Sequence, residues 1–382
     1  MAEQEQVRTP NGDLQVPAEV ERVDAYAEWQ KAQGVPVISG FAVQDLKTLE
    51  LGAWDRRGVD GAIVSLQGTG GFNDSHVLEL AGGGASNPEK HLYEEVVFIL
   101  SGHGSTEIWY DEARKHTVQW KAGSLFAIPL NASYLHTNGD RGQPARLMSM
   151  TSAPTVIRLF HNESFIFDSD FRFTDRFDDT VERYFSGDGI LYKQRNTHVW
   201  DSNFIPDVRA IDLYPWSQRG AKATNIMLET AENTMGSHIS RFPVGSYKKA
   251  HWHGPGAHVL IIGGTGYSNL WEDGDSEPQR VDWQDGSLLV PPEKWFHQHF
   301  NTGNTPAGYL ALRFDSRKHR SLTNPREGGK YHPDVSIKLG GAQIEFEDED
   351  KRVHEEFEKD LARNGVECQM RSVVPWCTGT VG

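Results

Sequence analysis

The sequence predicts an all-β protein built as two similar barrels with a few peripheral helices. Three observations carry this. First, 38 Gly and 18 Pro punctuate 382 residues, which suits many short strands joined by tight turns rather than long helices. Second, strand-like segments such as Val96–Leu100, Thr106–Tyr110, Thr117–Trp120 and Leu125–Ile128 are short and bounded by Gly, Asp or Pro. Third, the chain repeats itself. A shift of 163 residues superimposes Gly82 on Gly245, Trp120 on Trp283, Gly123–Leu125 on Gly286–Leu288, Pro129 on Pro292, His136 on His299 and Asn138 on Asn301. A set dominated by Gly, Pro, Trp and His marks a duplicated structural unit.

In chain order, residues 1–34 read as a polar tail followed by an amphipathic helix over Pro17–Gln33, with Val20, Val23, Ala27 and Trp29 as its apolar set. Residues 35–155 form the first barrel, and 156–199, rich in Phe, Asp and Arg, form a linker. Residues 200–320 form the second barrel. Residues 321–382 are a C-terminal extension whose acidic stretch Gln343–Asp360 reads as a surface helix with a solvated face.

Composition excludes several classes. A net charge of −15 argues against nucleic acid as a partner, since phosphates need neutralising cations. No apolar run approaches the roughly 20 residues of a membrane helix, and the start MAEQEQVRTPNGD has no apolar segment of a secretory signal. Only Cys368 and Cys377 occur, so a disulfide framework is excluded and a cytoplasmic location is expected. The Gly-rich stretches at 68–71 and 263–266 lack a following helix and a Gly-Lys-Ser, so they read as β-turns.

Histidines carry the chemistry. Five of the 16 lie between Lys249 and Asn301: His251, His253, His258, His297 and His299. On a strand, residues i and i+2 share a face, so His251 and His253 can aim into one barrel interior, and His297 can approach the same point from another strand. With no Cys near, a closed structural zinc site is disfavoured and a catalytic imidazole site for Fe(II), Cu, Ni or Zn is favoured.

The spacing resembles the cupin family, whose two motifs read G(X)5HXH(X)3–4E(X)6G and G(X)5PXG(X)2H(X)3N. Here Gly245, His251, His253 and His258 occupy the first, with His258 in the usual Glu position. Gly286, Pro292, Lys294 (for the usual Gly), His297 and Asn301 occupy the second. The resemblance implies two cupin (double-stranded β-helix, jelly-roll) barrels. It implies His251, His253 and His297 as metal ligands, with His258 either a fourth ligand or an imidazole facing substrate. It also implies one divalent transition metal per chain, with Fe(II) the leading choice and Mn, Ni, Cu or Zn the others, and a homo-oligomer. Three or four neutral imidazoles leave the site near +2, which favours an anionic chelating substrate and leaves room for O2. Arg241, Arg313 and His299 are the expected groups that orient that anion. The nearest functional resemblance is to bicupin ring-cleaving dioxygenases of the gentisate type. The expected activity is therefore Fe(II)-dependent dioxygenation of a small hydroxylated aromatic or diketone-like anion. The alternatives are an O2-independent metal-dependent isomerase, lyase or decarboxylase, and a non-catalytic small-molecule-binding bicupin.

The first barrel departs from the pattern. The 163 offset maps the ligands onto Pro88, Lys90, Glu95 and Tyr134. That barrel is expected to be structural, with Lys90 pairing to Glu95 or, after a one-residue slip, a set of Glu89, His91, Glu95 and Tyr134.

Overall fold

The structure, a computed structural model, describes residues 22–275, 277–320 and 332–379. Its regular structure is mostly antiparallel sheet, with parallel strand pairing only of Val37–Ile38 with Val59–Val64 and of Thr197–Asp201 with Thr224–Glu229 among the described residues. In the first half, a large sheet orders Val59–Val64, Asp74–Leu80, Ala145–Thr151, Glu95–Ser101 and Leu125–Ile128 side by side, facing a smaller one of Ser133–Asn138, His103–Trp109 and His116–Lys121. The second half repeats this with Thr224–Glu229, Gly236–Phe242, Ala307–Arg313, His258–Gly263 and Leu288–Leu289 facing Gln279–Trp283, Gly266–Trp271 and Phe296–Asn301. These are two jelly-roll barrels of the cupin type, as the 163-residue repeat predicts.

Strand alternation divides the core. In Glu95–Ser101, Val97 and Ile99 fill the first barrel, while Val96, Phe98 and Leu100 face the second. In His258–Gly263, Val259 and Ile261 point into the second barrel and Leu260 and Ile262 face the first. The two large sheets thus pack back to back through one shared cluster. At about 1.5–3 kcal/mol for each fully buried aliphatic side chain, that interface is an integral part of both barrels.

The barrels also exchange edges. Ala42–Val43 pairs antiparallel with Leu288–Leu289 of the second barrel, and Phe204–Ile205 pairs with Leu125–Phe126 of the first. Each half therefore caps a sheet of the other. Within the expected linker, residues 156–199, the last strands Ile190–Gln194 and Thr197–Asp201 join the second sheet.

The N-terminal helix is shorter than expected. It spans Ala25–Ala32, and the Asp24 carboxylate caps it by accepting from the N–H groups of Tyr26 and Ala27 at 3.0 and 3.3 Å. Its buried face is Tyr26 and Trp29, whereas Val23 lies outside the helix and is exposed. Residues 1–21, including Val20, lie outside the described residues. Of the acidic stretch Gln343–Asp360, only the part from Lys351 is in the helix Lys351–Asn364, which is capped by Asp350 and ended at Gly365 (φ 65°). Its face of His354, Phe357, Asp360 and Leu361 is buried against Tyr247, Tyr267 and Phe300 of the second barrel. No helix among the described residues is long and apolar enough to cross a membrane.

Candidate metal centre

His251 and His297 are brought together by a backbone bridge. The His251 N–H donates to the His297 carbonyl at 3.1 Å and the reverse bond is 2.9 Å. Their ring centroids lie 4.2 Å apart, and the His253 ring lies 4.6 Å from His297 and 5.7 Å from His251. One ring nitrogen from each of the three comes within 4.8 Å of the others, a spacing that suits a common ion.

The ring orientations agree with that reading. Each Nδ1 faces a backbone carbonyl: Lys249 for His251 (3.3 Å), Gly254 for His253 (2.7 Å) and Trp295 for His297 (3.4 Å). A proton on Nδ1 leaves Nε2 as the lone-pair donor, the usual arrangement of a metal-binding imidazole. Burial, and then the Arg219 charge for His251 and the His253 ring for His297, hold both imidazoles well below the usual histidine range. Neutral rings are the form that binds a cation.

His258 does not join them. It opens the strand His258–Gly263 opposite Leu312, on the face of Leu260 and Ile262 that packs between the barrels. Its Nδ1 faces the Gly256 carbonyl at 3.3 Å, and it feels the charge of Asp74 of the first barrel. The expectation of His258 as ligand or substrate contact is therefore corrected. No strand runs through residues 252–257, where Gly256 has φ 81°, so the ligand face is not carried forward to residue 258.

The three imidazoles open into a cavity of about 380 Å³. His299 lies in its wall, buried, with Nδ1 2.7 Å from Ser268 Oγ, which accepts from Trp283 Nε1 at 3.0 Å. The first barrel repeats this arrangement in His136, Thr106 and Trp120, at 2.7 and 2.9 Å. The contact thus belongs to the repeated scaffold, while in the second barrel it also presents a ring to the cavity.

Arg313 lines the cavity as expected, its Nε 3.8 Å from Asp315. Arg241 does not: its guanidinium turns to the carbonyls of Val208 and Arg209, on the outer side of its strand. That expectation is corrected too. Arg241 has the opposite parity to His238, which does line the cavity.

Several cavity groups were not singled out from sequence. Arg219, nearly fully buried, donates to Asp334 Oδ1 at 2.6 Å and Gln343 Oε1 at 3.2 Å. The Tyr309 hydroxyl accepts from buried Lys248 Nζ at 2.8 Å, and the Tyr309 ring lies 5.2 Å from His299. Burial, then the Arg219 charge, hold Lys248 well below the usual lysine range. Tyr309 was legible, since it alternates with Ala311 and Arg313 on one strand face; Arg219 sits in a turn and carries no periodic signal. The acids in the wall are Asp315 and Asp334, against the guanidinium groups of Arg219, Arg313 and Arg317.

In the first barrel, the cavity beside the equivalent residues Pro88 and Lys90 is lined by Arg56, Glu89, Phe167 and Asp168 in place of imidazoles. Glu95 Oε2 accepts from His91 Nε2 at 2.9 Å and from the Tyr134 hydroxyl at 2.6 Å, and that hydroxyl accepts from Arg57 at 2.6 Å. Arg57 is buried, so a guanidinium supplies the positive charge to this carboxylate-bearing core. Glu89 joins through Arg57 at 4.0 Å and also accepts from Arg56 at 3.1 Å, while Lys90 turns outward to Asp170 rather than to Glu95.

No protein-family model and no curated protein matches the chain. Solved structures similar to it include a formate complex of Lactobacillus farciminis oxalate decarboxylase, at 12% identity and a TM-score of 0.47, covering 74% of this chain and 88% of that one. A Bacillus subtilis oxalate decarboxylase with Mn(II) centres is 14% identical with a TM-score of 0.46, covering 75% and 80%. A further oxalate decarboxylase structure is 14% identical with a TM-score of 0.46, covering 83% and 89%.

Proposed function

We propose that the protein is an enzyme that uses one divalent transition metal, held by His251, His253 and His297, to act on a small carboxylate-bearing anion without O2. The reaction class is isomerase, lyase or decarboxylase; decarboxylation is also the activity named for the similar structures above. The observation that carries this reading is the content of the cavity. Beside three clustered imidazoles stand guanidinium groups suited to carboxylates and a set of side chains suited to moving protons.

When bound, the ion supplies Lewis-acid charge to substrate oxygens. Arg313 and Arg219 are placed to hold a carboxylate, because a planar guanidinium matches its two oxygens. Tyr309, backed by Lys248, and His299 are the candidates for proton delivery or removal at the substrate carbon. The buried part of the wall, around His251, His297, His299 and Tyr309, lowers the local dielectric and strengthens these interactions. Mn joins Fe among the candidate ions, since the imidazoles suit Fe and the oxygens of a carboxylate substrate suit Mn.

Turnover of a panel of small hydroxy-, keto- and dicarboxylates, with and without oxygen, tests the reading. We expect CO2 release or isomer formation at an undiminished rate under anaerobic conditions. Oxygen uptake in step with turnover would replace it by the dioxygenase reading.

A further inference from the structure

The two cysteines of the chain meet a histidine and a glutamate outside the barrel. His354 and Glu358 lie one turn apart on the helix Lys351–Asn364, with Nε2 and Oε1 3.3 Å apart. The chain then turns back, and Cys368 and Cys377 bring their sulfurs to 3.5 Å from each other, with Cys377 Sγ 3.6 Å from Glu358 Oε1. One donor atom from each of the four lies within 4.8 Å of the others.

The spacing has the dimensions of a tetrahedral metal site. Arms of about 2.3 Å to sulfur and about 2.0–2.1 Å to nitrogen or oxygen give edges of about 3.8 Å between sulfurs and about 3.4 Å between nitrogen and oxygen. A disulfide would need the sulfurs at about 2.05 Å. The second observation is His354 itself. It is 1% exposed; its Nδ1 is tied to the Tyr247 hydroxyl at 3.1 Å, and its Nε2 faces the cluster, 3.3 Å from Glu358 Oε1 and without an aligned hydrogen bond. Anchoring one ring nitrogen so that the other is presented is how a ligating imidazole is oriented. Glu358 is fixed in turn by the Thr378 hydroxyl at 3.0 Å and the Thr378 and Gly379 N–H groups at 3.2 and 3.3 Å.

We propose that His354, Glu358, Cys368 and Cys377 form a structural zinc site, separate from the barrel imidazoles. Two thiolates, one imidazole and one carboxylate are a donor set that selects zinc over Mg or Ca, and four protein ligands leave no open position for catalysis. The site staples residues 366–379 to the helix and, through it, to the second barrel. Gln369 N–H donates to the Gly245 carbonyl at 2.8 Å, and Gly245 (φ 64°) passes so close that a Cβ there would lie 2.1 Å from the Glu367 carbonyl oxygen. Gly245 and Tyr247 lead directly into His251 and His253, so the staple braces the segment that carries the barrel imidazoles.

The test uses the full chain, purified with reductant and zinc. Elemental analysis compares wild type, His297→Ala and Cys368→Ser/Cys377→Ser. We expect one zinc per chain to survive His297→Ala and to fall to near zero equivalents at this site in the double cysteine variant. Cobalt-substituted wild type and His297→Ala should both show thiolate-to-cobalt charge-transfer absorption, which an all-imidazole site cannot produce. If the cysteine variant does not fold, the wild-type cobalt spectrum and thiol titration still decide. Zinc content unchanged by the cysteine substitutions would overturn the proposal. So would a cobalt form without the thiolate band, or cysteines recovered as a disulfide from zinc-replete protein.

Discussion

His251 and His297 face each other across a two-residue antiparallel bridge, each N–H donating to the other's carbonyl at 3.1 and 2.9 Å, with their rings 4.2 Å apart. The backbone thus aligns the two imidazoles before any ion arrives. A preorganised pair reduces the ordering that binding would otherwise require, and it makes the neighbouring histidines separable by experiment.

Replacing His251 or His297 by Ala should lower affinity for the barrel metal by at least about 100-fold, beyond the 10- to 100-fold typical of losing an outer partner. His258→Ala should leave that metal in place, because the ring lies between the barrels. Titration of the metal-free protein with Mn(II) or Fe(II) checks both; loss of metal in His258→Ala would contradict the placement.

The two arginines should separate as cleanly. Removing a charge-assisted hydrogen bond costs about 1.5–3 kcal/mol, or roughly 10- to 100-fold. Arg313→Gln should therefore raise KM for the anionic substrate by about that factor, whereas Arg241→Gln should leave KM unchanged, since its guanidinium caps the carbonyls of Val208 and Arg209. Steady-state kinetics of the two variants is the measurement.

In the first barrel, Arg57→Ala should destabilise the fold by about 3–5 kcal/mol, the usual loss when one member of a buried charged network is removed. Burial opposes ionisation of Glu95, yet the His91 hydrogen bond and the Arg57 charge hold its carboxyl well below the usual range. Without Arg57, that carboxylate loses its main buried counter-charge. Urea unfolding should report the loss, with metal content unaltered.

Glu349 supplies a pH dependence. Burial pushes its carboxyl up to about 7, against hydrogen bonds from Tyr247 at 2.6 Å and Gln298 at 2.5 Å. The folded state therefore holds a proton that the unfolded chain has released between the ordinary glutamate pKa and about 7. Its stability contribution is full below that ordinary pKa and falls as pH rises to about 7, by up to about 3 kcal/mol. Denaturant unfolding at pH 5 and 7.5 should show the decline, and Glu349→Gln should flatten it.

What the sequence determined by itself was local and periodic. The 163-residue repeat announced two like barrels, because each copy must bury the same Trp and place its turn glycines at the same points. The alternation of His251 and His253, with His297 at its fixed distance, announced which imidazoles meet. The tertiary structure decided what depends on register and on distant segments. His258 changed faces because residues 252–257 form an irregular link and not a strand, and pairing with Leu312 then set the parity. The first barrel traded its ligand positions for a buried network because Arg57, some forty residues before Glu95, came to lie against Tyr134. Cys368 and Cys377 met His354 and Glu358 because an irregular loop folded back on a helix. Loop geometry of that kind has no period to be read, and only packing against the second barrel fixes it.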